Sequence, residues 1–157
     1  MGPMSMQSLP SRKAVAFVVR AVPGGGGEVL VYHPAGSDIP PRLPGGGIEE
    51  GESAEAALRR ELREETGLDG LELIRPLGVQ RYANALLGKD LERHDFLLRA
   101  PAELPGSWHH RVTGQGDDAG DVHALRWIRP DDLGQVDAEH RDWLTREYVP
   151  ELFEEGD

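Results

Sequence analysis

Residues 46–68 read GGIEEGESAEAALRRELREETGL, and this stretch decides the fold. Residues 53–66 hold no Gly or Pro, and Gly67 closes them. Gly is the residue type that ends helices, because it accepts a left-handed backbone. The pattern therefore predicts a helix over residues 53–66. At about 100° per residue, Ala54, Leu58 and Leu62 share one face, and Glu61, Glu64 and Glu65 project together beside it. Like charges at these spacings cost a few tenths of a kcal/mol per pair (roughly 0.2–0.5), so gathering them without interleaved Lys needs a reason. One reason is bland: Glu is a good helix former, and the patch is a solvated acidic face. The other is a hard cation, since Mg²⁺ or Mn²⁺ takes oxygen ligands and is shared between carboxylates and substrate phosphates.

Working outward, residues 14–22 and 28–33 are Val-rich runs separated by Pro23 and four glycines, which is a hairpin signal. The run from Gly24 to Gly27 leads into a strand and lacks a following Lys-Ser or Lys-Thr, so it reads as a turn and not as a phosphate-binding loop. Downstream, residues 71–82, 92–100 and 122–128 read as strands, the last with Trp127 near its end. Residues 101–121 show no periodicity and read as a long loop, a feature usually functional or disordered. Residues 137–153 place Trp143, Leu144, Tyr148 and Leu152 at helical spacing and predict an amphipathic helix. The order predicts an α/β fold, a mixed sheet with helices on its faces, as one domain over residues 12–157 after a flexible leader at residues 1–11.

Composition narrows the chemistry. The 157 residues include no Cys, which excludes disulfides, Cys-ligated metals and a Cys nucleophile. Seventeen Lys and Arg against 28 Asp and Glu give a net charge of −11, with no basic block, which argues against adhesion to a nucleic-acid polymer or an anionic membrane. A phosphate substrate would then need positive charge from elsewhere, and a divalent cation is the obvious supplier. The apolar run from Ala14 to Val19 is cut by Arg20 and is too short for a secretory or membrane-spanning segment, so a cytoplasmic protein is expected.

The 23-residue stretch resembles the signature of the Nudix hydrolases, G-x5-E-x7-R-E-U-x-E-E-x-G-U with U aliphatic. Gly46, Glu52, Arg60, Glu61, Leu62, Glu64, Glu65, Gly67 and Leu68 fill all nine specified slots. The resemblance implies an α/β/α sandwich with a mixed β-sheet and a metal-dependent hydrolase that cleaves the pyrophosphate bond of a nucleoside diphosphate linked to another moiety. Carried over by position, Glu61, Glu64 and Glu65 are the implied metal ligands, with the Gly46 carbonyl as a further one. Arg60 is the implied cation that orients these carboxylates, and Glu52 opens the helix, where the dipole favours negative charge.

Such a reaction needs one carboxylate to take the proton from the attacking water. Glu64 and Glu65 are candidates, and the resemblance implies that a loop acid is another; Asp121, shortly before the strand containing Trp127, stands at that place. Turn formation is the alternative role for Asp121, since Asp and Gly favour turns. Trp108, His109 and Arg111 are candidates for stacking on a base and binding phosphate, which would make residues 104–121 the specificity loop, with Arg81, Tyr82 and Arg93 next in line. A small nucleotide-type substrate and Mg²⁺ or Mn²⁺ are the expected partners. A nucleotide-binding sensor of the same fold with weak or no catalysis is the alternative, disfavoured because it has no need of all three acids.

Overall fold

A computed structural model of the protein describes residues 10–84 and 88–154. The expected leader lies largely outside them, and the first strand, β1 (Ser11–Ala21), already includes its last residue. β1 pairs antiparallel with β2 (Gly27–Pro34), as the Val-rich hairpin predicts. β3 (Gly45–Gly47) pairs with the first half of β1, with Ala14 opposite Gly46. The antiparallel pair β4 (Glu72–Asn84) and β5 (Lys89–Arg99) joins the sheet through β5, which runs parallel to β1. β7 (Val122–Ile128) pairs with β2 and carries β6 (Ser107–Arg111) on its outer side. The mixed sheet thus runs β4-β5-β1-β2-β7-β6, with β3 added beside β1.

Each face of the sheet buries a separate apolar layer because strand side chains alternate. Ala14, Ala16 and Val18 of β1 point to one face, where Ala57, Leu58 and Leu62 of α1 (Ala54–Thr66) cover them. Val15, Phe17 and Val19 point to the other, under Val136, Leu144, Val149 and Leu152 of the C-terminal segment. The ends of α1 are those the sequence implies. Ser53 accepts a hydrogen bond from the Ala56 N–H at 3.1 Å, and Gly67 adopts φ 80° while its N–H reaches the Arg63 carbonyl at 3.1 Å.

Two expectations are corrected. The single amphipathic helix over residues 137–153 is instead α2 (Ala138–Arg141) and α3 (Pro150–Phe153), with a turn between them and a 3-10 helix, Pro130–Gln135, before them. Proline disfavours helical backbone in the residue before it, and Val149 sits at φ −133°, ψ 69°. Trp143, Leu144, Tyr148 and Leu152 still pack on the sheet, so the spacing reported burial and not helix. Residues 101–121 are likewise no unbroken loop, because β6 runs through them. Its inward residues, Trp108 and His110, alternate with exposed Ser107, His109 and Arg111.

Candidate active site

The site forms where α1 crosses β3. Burial of Leu58 and Leu62 fixes the rotation of α1, and this carries Glu61 onto Gly46. A β-carbon at Gly46 would overlap the Glu61 carboxylate, so glycine is what lets that carboxylate lie against the strand. The neighbouring glycines supply backbone groups: the Gly45 N–H donates to Glu65 Oε1 at 3.0 Å, and the Gly47 carbonyl accepts from Arg60 Nη2 at 2.9 Å.

Arg60 organises the acids, as the signature implies. Its Nε and Nη2 donate to the two Glu52 oxygens, both at 2.8 Å, a bidentate pair. Its Nη1 reaches Glu61 Oε2 at 2.9 Å and Glu64 Oε1 at 3.4 Å. The Arg60 hydrogen bonds, with help from the Glu49 N–H, hold the Glu52 carboxyl down at about 2. Glu65 is the opposite case. It is 6% exposed, and burial, reinforced by Glu61, Asp118 and Glu64, pushes its carboxyl up to about 8 against the opposing Gly45 N–H. Burial also raises Glu61, with Glu64 and Asp118 adding to the effect and Arg60 opposing it.

The other wall comes from β6 and the segment after it. The Thr113 N–H donates to the Glu64 carbonyl at 3.0 Å, and the His110 ring lies 3.1 Å from the same oxygen. Gly114 lies under the Glu64 carboxylate, where a β-carbon would again collide. Buried His123 stacks on Tyr32, with centroids 4.3 Å apart, and its Nε2 is 3.7 Å from Asp118 Oδ2. Asp118 is therefore the acid of this segment that faces the helix carboxylates, and sequence reasoning missed it. Asp121 is exposed and contributes its carbonyl to the Val112 N–H at 2.8 Å, in keeping with the turn role. Only the pattern DDAGD marks this turn, and a turn pattern does not say which carboxylate points inward.

The residues expected to bind substrate are dispersed. Trp108 packs beside Trp127, and its Nε1 donates to the Thr66 carbonyl at 3.0 Å, so it secures the end of α1. His109 is exposed, and Arg111 Nη1 donates to the Gly120 carbonyl at 2.7 Å within its own turn. Arg81 lies exposed on β4, with Nε 3.3 Å from Glu92. Tyr82 and Arg93 lie on the sheet face opposite α1, where the Tyr82 hydroxyl donates to Glu139. A cavity of about 840 Å³ is lined by Val19, Gly24, Ile74 and Glu151 at the far end of β1, away from the acids.

A family profile described as NUDIX domain matches residues 10–151. The chain belongs to the NUDIX family. It is 32% identical over 135 residues to an RNA pyrophosphohydrolase of Dinoroseobacter shibae, covering 85% of this chain and 70% of that protein. It is 27% identical over 161 residues to the RNA pyrophosphohydrolase of Bartonella clarridgeiae, covering 95% and 84%. Among solved structures, a NUDIX hydrolase from Nitrosomonas europaea superimposes with a TM-score of 0.57 at 22% identity, covering 91% of this chain and 88% of that one. The E. coli dihydroneopterin triphosphate pyrophosphohydrolase does so with 0.63 at 17%, covering 88% and 94%. As a member of this family with these relatives, the chain is a pyrophosphohydrolase.

The helix acids offer the oxygen donors that a hard divalent cation takes. Among the described residues no three acidic or imidazole side chains are grouped so that they could hold an ion as they stand; Arg60 engages Glu61 and Glu64, and Glu65 turns to Gly45. Arg60 spends its best hydrogen bonds on Glu52, and burial, reinforced by the neighbouring acids, pushes the Glu65 carboxyl up to about 8.

Two outcomes are expected. Gly46→Ala must displace Glu61, lowering turnover by about 10² or more while α1 stays folded, to be checked by rates and far-ultraviolet dichroism. In metal-free protein, Glu65 holds its proton folded to about 8 but releases it unfolded near 4.5, so the folded state binds more protons between those values. Stability should fall as pH rises from about 4.5 to 8, and Glu65→Gln should flatten this slope, as denaturant melts across that range would show.

Proposed function

We propose that the chain hydrolyses the pyrophosphate bond of a small nucleoside diphosphate derivative, with Mg²⁺ or Mn²⁺ held by Glu61, Glu64, Glu65 and the Gly46 carbonyl. The observation that carries the reading is the acid cluster, in which one buried carboxyl is pushed up to about 8. A cation held by these groups would supply neutralisation of the pyrophosphate oxygens, a more acidic water and stabilisation of the leaving phosphate.

The remaining work falls to the chain. Arg60 keeps Glu61 and Glu64 turned toward Gly46, anchored from behind by Glu52 and the Gly47 carbonyl. Asp118 is placed to take the proton of the attacking water, because it faces the carboxylate cluster and His123 stands behind it. Burial lowers the His123 pKa, which favours the neutral imidazole beside Asp118. Trp108, His110 and Thr113 hold the end of α1 against the segment that carries Asp118.

A second reading, the 5′ end of an RNA, is favoured by the name of the 32%-identical relative. The net charge of −11 favours a small molecule, since an RNA polymer is held largely through cationic side chains. The proposal also places the enzyme in the cytoplasm; among the described residues no helix is long and apolar enough to cross a membrane.

Product release from ADP-ribose, diadenosine tetraphosphate, nucleoside triphosphates and 5′-triphosphorylated RNA, each with Mg²⁺ or with EDTA, tests this reading. Turnover of a small substrate that EDTA abolishes is the expected result. Preference for the RNA establishes the second reading, and absence of turnover on all of them the sensor. Asp118→Asn should reduce kcat by about 10² to 10⁴, while Asp121→Asn should stay within a few fold of wild type. The reverse ranking would return the base to Asp121.

A further inference from the structure

A second charged cluster lies on the sheet face opposite α1. Lys13 of β1, Arg42 before β3 and Tyr82 of β4 all donate to one carboxylate, that of Glu139 on the single-turn helix α2. The Lys13 contact is 3.0 Å. Arg93, fully buried, donates to the Glu139 carbonyl at 3.1 Å and makes a bidentate pair with Asp95 at 2.8 and 3.0 Å. Tyr148 donates to Asp95 from above at 2.8 Å, and Gln80 to the Tyr148 hydroxyl at 2.9 Å.

The charges do not balance. Among the described residues the ion pairs of Lys13, Arg42 and Arg93 are with Glu139 and Asp95, and the Asp95 carboxylate is committed to Arg93. Arg42 keeps a buried Nε without a hydrogen-bond partner. His140 adds no negative charge: its Nδ1 accepts from the Leu43 N–H at 2.9 Å, and burial, with Arg42 and Arg93 nearby, depresses it to about 3. In a chain of net charge −11, this is a local surplus of cations around a carboxylate that comes from the least regular part of the fold. The cluster is open to solvent, with side-chain exposures of 22% for Lys13, 34% for Arg42 and 29% for Glu139.

Its position relates it to the catalytic acids. Lys13 pairs with Gly47, the residue after the one that bears on Glu61. Nothing lies within 4 Å of where a Gly47 side chain would begin, and among the described strands β3 pairs with β1 alone. The glycine strand thus has the acids against one side and open space beside Lys13 on the other.

We propose that Lys13, Arg42 and Tyr82 form a subsite for a phosphate group of the substrate outside the scissile bond, and that Glu139 is an internal occupant displaced when that phosphate binds. The inference rests on the pyrophosphate reading above and narrows its substrate class to molecules with a further phosphate. Phosphate fits better than another carboxylate on two counts. It offers three terminal oxygens to three donors, and its charge of about −1.5 to −2 answers two cations where Glu139 supplies only −1. Displacement is a movement of α2, one turn capped by Asp137, and leaves the Arg93–Asp95 pair in place to hold the sheet face.

The test is calorimetric binding of inorganic phosphate and of AMP in EDTA. It needs neither metal nor turnover, so an inactive protein can pass and an active one can fail. Glu139→Gln, which no longer competes as an anion, should bind both probes about tenfold tighter than wild type or better. Lys13→Met added to Glu139→Gln should abolish the gain, and acetate should not compete. Glu139→Asp withdraws the carboxylate by one methylene and should also bind more tightly, which decides the matter should Glu139→Gln fail to fold. Affinity equal to wild type in a folded Glu139 variant, a gain that survives Lys13→Met, or equal competition by acetate overturns the proposal.

Discussion

The contact on which the structure depends is the one between a strand of three glycines and an acidic helix. Gly46 has no side chain, so the Glu61 carboxylate rests against its backbone. Gly45 presents its N–H to Glu65, and Gly47 its carbonyl to Arg60. Three consecutive residues thus reach three functional side chains of α1, and they do so because β3 is held in register by β1 while Leu58 and Leu62 fix the helix rotation on the same strand. Packing on the α1 side of the sheet is therefore also what aims the acids.

Electrostatics then divides the molecule. On the α1 face one arginine pairs with three carboxylates, and a fourth, Glu65, lies beyond its reach, where burial beside the other acids raises its carboxyl. On the other face the imbalance runs the opposite way, with cations exceeding acids around Glu139. On the proposed reading the two serve one substrate, a cation-seeking site at the bond to be broken and fixed positive charge for a phosphate beyond it. The two lie on opposite sides of a glycine strand, where β1 brings Ala14 and Lys13 next to Gly46 and Gly47.

Much of this was legible in the sequence, for identifiable reasons. The helix and its Ser53 and Gly67 ends follow from a contiguous stretch free of Gly and Pro, and the Arg60 contacts are those the resemblance implies, whereas the crowding at Gly46 had no expectation behind it. The strand Val122–Ile128 has the predicted bounds. What was hidden depends on tertiary partners. Trp108 and His110 belong to a strand because β7 offers an edge to pair with, which no local pattern reveals. The apolar spacing of residues 137–153 serves packing against Phe17 and Val19 through two short helices, since Pro150 forbids one long one. Asp118 and Asp121 lie in one turn pattern, and only the tertiary approach of Asp118 to His123, Glu61 and Glu65 shows that it is the one turned inward. Glu139 gave no signal at all, because its partners come from three segments distant in sequence.

The central claim is that the helix acids at the glycine strand form a divalent-cation site. Its most direct test is a Mn²⁺ titration followed by the electron paramagnetic resonance of the free ion. Wild type should bind Mn²⁺ saturably, and the variant with Glu61, Glu64 and Glu65 all changed to Gln should lose that binding while keeping its fold. Equal binding by the two folded proteins, or no binding by wild type, would contradict the account.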